Sequence, residues 1–245
     1  MRKSLFTMAR ARQLTSDTYA LVLSGDTSAV TAPGQFVELE LPGRFLRRPI
    51  SICDWTDTDL TLLVKVVGAG TEALVRCAPG TELDVLSGLG NGFDTALAGD
   101  APVLVGGGIG IAPLYGLARR LLAQGKSPTV VLGFRTGKDA FYQKEFEDLG
   151  CRVLVSTEDG SLGTKGFVTD CLKALPDCGY VFTCGPLPML KAVHSLPQLT
   201  GGQFSFEARM GCGFGACMGC TVPVKGGYKR VCKDGPILYK EEIVW

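Results

Sequence analysis

Residues Glu207–Cys220 read E-A-R-M-G-C-G-F-G-A-C-M-G-C, and Cys232 follows after T-V-P-V-K-G-G-Y-K-R-V. Cys212, Cys217, Cys220 and Cys232 therefore fall in the spacing C-x4-C-x2-C and then, eleven residues on, C. This is the plant-type spacing that places four thiolates around a [2Fe–2S] cluster. Gly211, Gly213, Gly215 and Gly219 lie among the cysteines. An oxidised cluster with its thiolates is an anion of about −2 by formal count, and backbone N–H groups aimed at sulfur stabilise it. Glycine lets the chain curl closely enough to aim them. Structural zinc is the alternative for four cysteines. Zinc sites usually pair two C-x2-C knuckles, and only one is present here. Visible absorption separates the two readings, because zinc is colourless.

Working outward, the chain has 245 residues, 46% of them hydrophobic and 20% charged, which suits one large or two modest packed domains and argues against disorder. The formal net charge of +1, with no long charge run, argues against nucleic acid or an anionic membrane as the main partner. Ten cysteines are too dilute over this length for a secreted disulfide scaffold. Met1–Arg12 carries Arg2, Lys3, Arg10 and Arg12 without an apolar core, so no secretory signal is expected. Ala101–Ala118 is uncharged and nearly long enough to span a bilayer, but its five glycines and two prolines fit strand, turn and helix better. A soluble protein of a reducing compartment, the cytoplasm, is expected.

The N-terminal part, to about Leu97, reads as short antiparallel strands. Thr18–Leu23 alternates weakly. Phe36–Leu41 sets Val37, Leu39 and Leu41 on one face and Glu38 and Glu40 on the other. Leu60–Val67 sets Leu60, Leu62, Val64 and Val66 together. Turn clusters at Ser24–Ser28, Ala32–Gly34, Pro42–Gly43 and Asp54–Asp59 separate them, which predicts a small closed barrel. Two segments of it suit a phosphate. Arg47-Arg48-Pro49-Ile50-Ser51 offers a cation and a hydroxyl on a restricted backbone. Lys65, then Gly68, Gly70 and Thr71, lead into a helix predicted over Glu72–Cys77, with Thr71 able to cap it. Ordinary turns and caps also look like this.

From Asp100 strands and helices alternate. Pro102–Val105, Thr129–Phe134, Arg152–Ser156 and Tyr180–Cys184 read as strands. Leu114–Leu122, Phe141–Leu149, Phe167–Ala174 and Pro188–His194 read as helices, and Gln203–Glu207 as a last strand. This predicts a parallel sheet of nucleotide-binding type. The turn Gly106-Gly107-Gly108-Ile109-Gly110 is not the G-x-G-x-x-G fingerprint, because Ile111 and Pro113 stand where a third glycine would be. It can still present amides to a pyrophosphate, or simply connect strand and helix. Arg135 and Lys138 stand where an acidic ribose partner is usual, so charge does not choose between NADH and NADPH. Cys184-Gly185-Pro186 ends a strand at the carboxyl edge, where open sheets bind ligands. His194 reads as structural, and Cys53, Cys77, Cys151, Cys171 and Cys178 as small apolar fillers.

Over essentially its whole length the chain resembles the ferredoxin reductase-like flavoproteins, and within them the electron-transfer subunits of NAD-dependent (class 1B) dihydroorotate dehydrogenases. Arg48-Pro49-Ile50-Ser51 looks like the family's R-x-x-S flavin motif. That implies Arg48 on the FAD pyrophosphate and Ser51 near the flavin ring. Leu63-Val64-Lys65 and Gly70-Thr71 look like its further FAD segments. Gly106–Pro113, with Gly106, Gly107, Gly108 and Gly110, looks like the nicotinamide nucleotide loop. Cys184-Gly185-Pro186 looks like the element beside the nicotinamide, and the run from Glu207 to Cys220 is the most specific match.

The implied architecture is an FAD-binding β barrel (1–98), an α/β NAD-binding domain (99–207) and a [2Fe–2S] module (208–245). The implied cofactors are FAD, a [2Fe–2S] cluster and NAD(H). In such proteins hydride passes between nicotinamide and flavin, and single electrons between flavin and cluster. No acid–base residue of this chain is implied as catalytic. Dihydroorotate oxidation would fall to an FMN-containing catalytic partner, with two copies of each chain. A sulfide or ferredoxin–NADP oxidoreductase subunit shares every cofactor motif and is the rival reading. A non-redox nucleotide-binding module with structural zinc is the rival of another class.

Overall fold

The computed structural model describes residues 1–176 and 178–245. The N-terminal strands are β1 (Arg2–Gln13), β2 (Thr18–Ser24), β3 (Phe36–Leu39), β4 (Arg48–Trp55), β5 (Asp59–Lys65) and β6 (Glu82–Leu89). They close a six-stranded antiparallel barrel in the order β1-β2-β5-β4-β3-β6. Closure removes the free edges that a short sheet would expose. Alternation fills the interior with Met8, Leu21, Leu23, Val37, Leu39, Ile52, Leu60 and Leu62, all essentially inaccessible. The helix α1 (Ala69–Val75) follows β5. It begins three residues before the predicted Glu72, because Gly68 is its N-cap and Thr71 serves from inside the first turn.

The alternation predicted for Phe36–Leu41 holds only in part. β3 stops at Leu39, and Glu38 is not exposed but 1% accessible. Its side of the barrel is covered by the C-terminal segment, which single-strand periodicity cannot reveal. Likewise Leu63, on the opposite side of β5 from Leu60 and Leu62, is buried against the second domain.

The second part alternates β7 (Val103–Gly107), α2 (Ala112–Ala123), β8 (Thr129–Phe134), α3 (Gln143–Asp148), β9 (Arg152–Thr157), β10 (Thr164–Lys165), α4 (Val168–Lys173), β11 (Tyr180–Cys184), α5 (Leu187–His194) and β12 (Gly201–Ser205). The stretch 101–118 is strand, turn and helix, as its glycines and prolines imply. Among the described residues no helix is long and apolar enough to cross a membrane. Leu114, Leu117 and Leu121 lie on one buried face of α2, each contributing about 1.5–3 kcal/mol by burial. The predicted last strand begins at Gly201, ends at Ser205, and is not the last. A hairpin follows, β13 (Thr221–Val224) with β14 (Gly227–Arg230), and then β15 (Ile237–Tyr239). β15 pairs antiparallel with β12, completing a seven-stranded sheet in the order β10-β9-β8-β7-β11-β12-β15.

Two buried clusters tie these parts together. Ala20, Cys53 and Leu63 of the barrel pack with Leu114, Leu117 and Tyr142. Phe36 and Leu89 of the barrel pack with Phe204, Phe206, Cys220, Cys232 and Leu238. The cysteine segment thus sits on a seam that both the barrel and the sheet line.

Candidate functional site

Three sequence motifs meet around one cleft of about 800 Å3 between the barrel and the sheet. Its floor is the carboxyl edge of the sheet. The ends of β7, β8, β9 and β11 supply Gly107, Phe134, Ser156 and Gly185. Strand order explains why these residues converge: β11 and β8 flank β7, so Cys184 lies level with Gly106, and Gly106 with Leu132. In open α/β sheets the crevice outside the strand ends is where ligands bind.

The glycine turn and the Cys-Gly-Pro segment touch. A Cβ built on Gly110 would lie 2.5 Å from the Cys184 carbonyl oxygen and 2.6 Å from the Gly185 Cα. A Cβ on Gly107 would meet the movable Met189 side chain instead, its sulfur at 2.5 Å. Gly106 lies within β7 rather than in the turn, and Gly108 takes the left-handed φ of +53° that starts the turn into α2. Gly185 and Pro186 line the cleft, whereas Cys184 is 1% accessible and burial pushes its thiol up to about 12. That makes it a packing thiol and not a nucleophile.

From the barrel, Asp17, Thr18 and Lys65 line the cleft, whereas the predicted FAD residues of β4 and the start of α1 lie outside its lining. Arg47 and Arg48 diverge. Arg47 pairs with Asp84 at 2.7 Å and Glu40 at 2.6 Å, which fixes it as a brace of the barrel. The Arg48 guanidinium lies over Gly70, where a Cβ would come within 2.2 Å of its Nε. Arg48 and Gly70 therefore form one cradle, and any other residue at position 70 would push the cation away. The Thr71 hydroxyl accepts from the Val67 and Gly68 amides at 2.9 and 3.3 Å and donates to the Gly68 carbonyl at 3.0 Å. Its task is to hold this turn. Leu63 and Val64 are core residues, leaving only their backbone to face a ligand. Pro49, Ile50 and Ser51 are half-buried on β4. Lys65 lines the cleft mouth, 3.2 Å from Asp17.

The four cysteines of the C-terminal loop gather into two neighbouring pairs. Cys220 and Cys232 are buried with their sulfurs 3.2 Å apart. Cys212 and the exposed Cys217 form the second. Among the described residues no three ligand-type side chains already close on one point. The backbone is nonetheless arranged for thiolates. Cys212 Sγ accepts from the Ala216 and Cys217 amides at 3.2 and 3.4 Å, Cys217 Sγ from Gly219 at 3.5 Å, and Cys220 Sγ from Cys232 at 3.4 Å. Burial raises the Cys212 thiol, but the amides of Cys217, Phe214 and Ala216 outweigh it and hold the group well below an ordinary thiol. Burial first, and then the neighbouring Cys220 and Cys212, push Cys232 up. Crowded thiolates of this kind call for cationic metal to neutralise them, so the residues fit a cluster.

Gly213 and Gly215 adopt φ of +76° and +90°, and even Met218 is forced to +60°. Arg230 props the loop. It donates to the Gly215 carbonyl at 3.0 Å while gripping both oxygens of Asp234 at 2.8 and 3.0 Å. That grip holds the Asp234 carboxyl down at about 2. Phe214 and Met218 face outward, whereas Met210 is partly buried against the core.

Sequence reasoning overlooked several residues of the cleft: Asp17, Phe141, Ser156, Glu158, Phe167 and Glu207. Strand-end position was the available signal for Ser156 and Glu158. Nothing local marks Asp17, which β2–β5 pairing brings beside Lys65. His194 is structural, as predicted: its Nε2 lies 3.1 Å from the Lys240 carbonyl, and its ring meets Phe204 and Trp245. Of the predicted fillers, Cys53, Cys151, Cys171 and Cys178 are buried, and Cys77 is partly exposed.

Comparison with known proteins matches this layout. Residues 207–244 match the iron–sulfur cluster binding domain of dihydroorotate dehydrogenase B, and residues 104–195 the oxidoreductase NAD-binding domain. The chain is 44% identical over 207 residues to the dihydroorotate dehydrogenase B (NAD(+)) electron transfer subunit of Geobacillus sp. (strain WCH70), covering 81% of this chain and 80% of that one. Its identity to the subunit of the same name from Shouchella clausii (strain KSM-K16) is 44% over 208 residues, with the same coverage. A solved chain of the NADH-dependent reduced ferredoxin–NADP oxidoreductase superposes with a TM-score of 0.89 at 31% identity, covering 99% of this chain and 90% of that one. With this identity along most of the chain and both family models in register with the cleft and the cysteine loop, the protein belongs to the family of dihydroorotate dehydrogenase B (NAD(+)) electron transfer subunits.

Proposed function

We propose that this chain carries electrons from a dihydroorotate-oxidising partner to NAD, in pyrimidine biosynthesis. The observation that carries the reading is the placement of the cysteine loop against the barrel strands β3 and β6, on the same body as the nucleotide cleft. When bound, FAD exchanges hydride with the nicotinamide and single electrons with the cluster. The protein's share is to bind and orient. Arg48 and Gly70 cradle the FAD pyrophosphate, with Pro49, Ile50, Ser51 and the Leu63–Lys65 backbone along the flavin. Gly106–Gly110 and Gly185-Pro186 take NAD(H), and Cys212, Cys217, Cys220 and Cys232 hold the irons. We divide the chain at 98/99 and 207/208, with β15 returning from the last part to the central sheet. The partner is an FMN-containing catalytic subunit, with two copies of each chain. Ten cysteines, all free, support a cytoplasmic location.

The rival, a ferredoxin–NADP oxidoreductase subunit, draws on the full-length superposition at 31% identity; the 44% relatives outweigh it. An anaerobic titration of the isolated chain tests the reading. NADH is expected to bleach the flavin and then the cluster, and dihydroorotate to bleach neither. Bleaching by dihydroorotate would place the substrate site in this chain.

Two substitutions test the binding assignments. Arg48→Ala removes a charge-assisted contact of about 1.5–3 kcal/mol, so FAD is expected to dissociate about ten- to a hundredfold more readily, read as flavin lost on dilution and filtration. Retention equal to wild type would clear Arg48 of the role. Gly110→Val must displace the Cys184–Gly185 backbone, so reduction by NADH is expected to need much higher nucleotide concentration while flavin and cluster spectra stay intact. An unchanged NADH concentration dependence would place the nucleotide elsewhere.

A further inference from the structure

Glu38 stands on β3 opposite Pro49 of the FAD motif. Val37 and Leu39 point into the barrel, so Glu38 points out of it, into the seam that the cysteine loop covers. It is 1% accessible, and among the described residues its Oε1 has no hydrogen-bond partner. A Cβ built on Gly213 would lie 2.5 Å from that oxygen, so the carboxyl abuts the backbone next to Cys212. Two cations act on it, Arg47 just before β4 and Arg48 at its first position. Arg47 is already engaged by Glu40 and Asp84. An unpartnered buried polar atom costs about 1–3 kcal/mol, which an apolar residue at this position would avoid. Such a group calls for an explanation outside packing.

We propose that Glu38 is a positioning residue for electron transfer, a buried carboxylate between the FAD motif and the cysteine loop that holds the reduction potential of the [2Fe–2S] cluster below the value a neutral side chain would give. The reason is Coulombic. One electron added at the four-cysteine site raises its negative charge by one, and Glu38 in its ionised form, facing that site through protein of low dielectric, opposes the change. Arg47 and Arg48, at the FAD motif, act on the carboxyl as cations, whereas toward the cysteine loop Glu38 abuts Gly213 backbone. A lowered cluster potential makes the cluster a poor resting place for an electron and favours its passage toward FAD. Gly213 is part of the device: its φ of +76° and missing side chain let the carboxyl approach.

The test is a spectroelectrochemical titration of the purified chain with its cofactors at mildly alkaline pH, where Glu38 is ionised, comparing wild type, Glu38→Gln and Glu38→Met. Both variants remove the charge, and only Gln keeps the polar shape, so agreement between them separates charge from packing. If one fails to fold, the other carries the measurement. Both are expected to keep iron, sulfide and flavin, and to raise the cluster midpoint by the equivalent of about tenfold in the one-electron equilibrium constant, about 59 mV. The flavin midpoint is expected to move less. An unchanged or lowered cluster midpoint, or a larger shift in the flavin than in the cluster, overturns the inference. The inference rests on the four-cysteine assignment, which fails separately: Cys217→Ser tests the ligand set through metal content, and Glu38 variants with a full cluster and an unmoved midpoint defeat only the role of Glu38.

Discussion

Cys217→Ser is expected to reduce bound iron and acid-labile sulfide from about two of each per chain to a small fraction. Cys217 is the cleanest of the four cysteines to change. Cys220 and Cys232 sit in the hydrophobic seam with Phe36 and Phe204, so losing either also disturbs packing. Cys217 is exposed, and its sulfur accepts only the weak Gly219 amide contact at 3.5 Å. Serine has nearly the same shape but stays protonated at neutral pH, whereas the metal needs a thiolate. FAD is expected to stay, because the cradle proposed for it, Arg48 over Gly70, is on the barrel. Iron and sulfide assays with the visible spectrum decide the matter. Full occupancy in the variant would remove Cys217 from the ligand set, and zinc as the sole metal of anaerobically prepared wild type would restore the structural-site alternative.

Activity is expected to appear only on mixing. Dihydroorotate oxidation requires a base to take a proton; we assign that base to the partner, and two titratable groups of this chain are already engaged. His194 is bound to the Lys240 carbonyl, with its ring against Phe204 and Trp245. Asp17 pairs with Lys65 at the cleft mouth. Alone, the chain is expected to pass electrons from NADH to artificial acceptors at a substantial rate and to give no dihydroorotate-dependent NAD reduction. With a matching catalytic flavoprotein, that reduction should rise from background by orders of magnitude. Phe214 and Met218, 42% and 55% exposed beside the cysteines, give the loop an apolar outer face for contact. Dihydroorotate-dependent activity in this chain alone would refute the division of labour, and no gain on mixing would favour the ferredoxin–NADP oxidoreductase reading.

Much of this was legible in the chain itself. β8 and β11 begin and end where period and turn residues place them, because strands buried on both faces are continuous apolar runs bounded by breakers. The cysteine spacing carries its own chemistry, since C-x4-C-x2-C closes a loop small enough for one cluster whatever surrounds it. For Arg48, Gly70 and the 106–110 turn the sequence offered residue types that suit anions, and their assignment to FAD and NAD(H) is our proposal.

Tertiary structure decided the rest, through contacts between residues distant in sequence. Only strand pairing sets Gly110 against Cys184, Asp17 beside Lys65, and β15 on the edge of a sheet that begins over a hundred residues earlier. Only the overlay of the cysteine loop on the barrel turns Glu38 from an outward carboxylate into a buried one that burial pushes up to about 7. A strand's own alternation specifies two faces but not what covers the second. That covering comes from the C-terminal segment, whose Gly213 abuts Glu38, and it places Cys220 and Cys232 against β3 and β6 of the barrel.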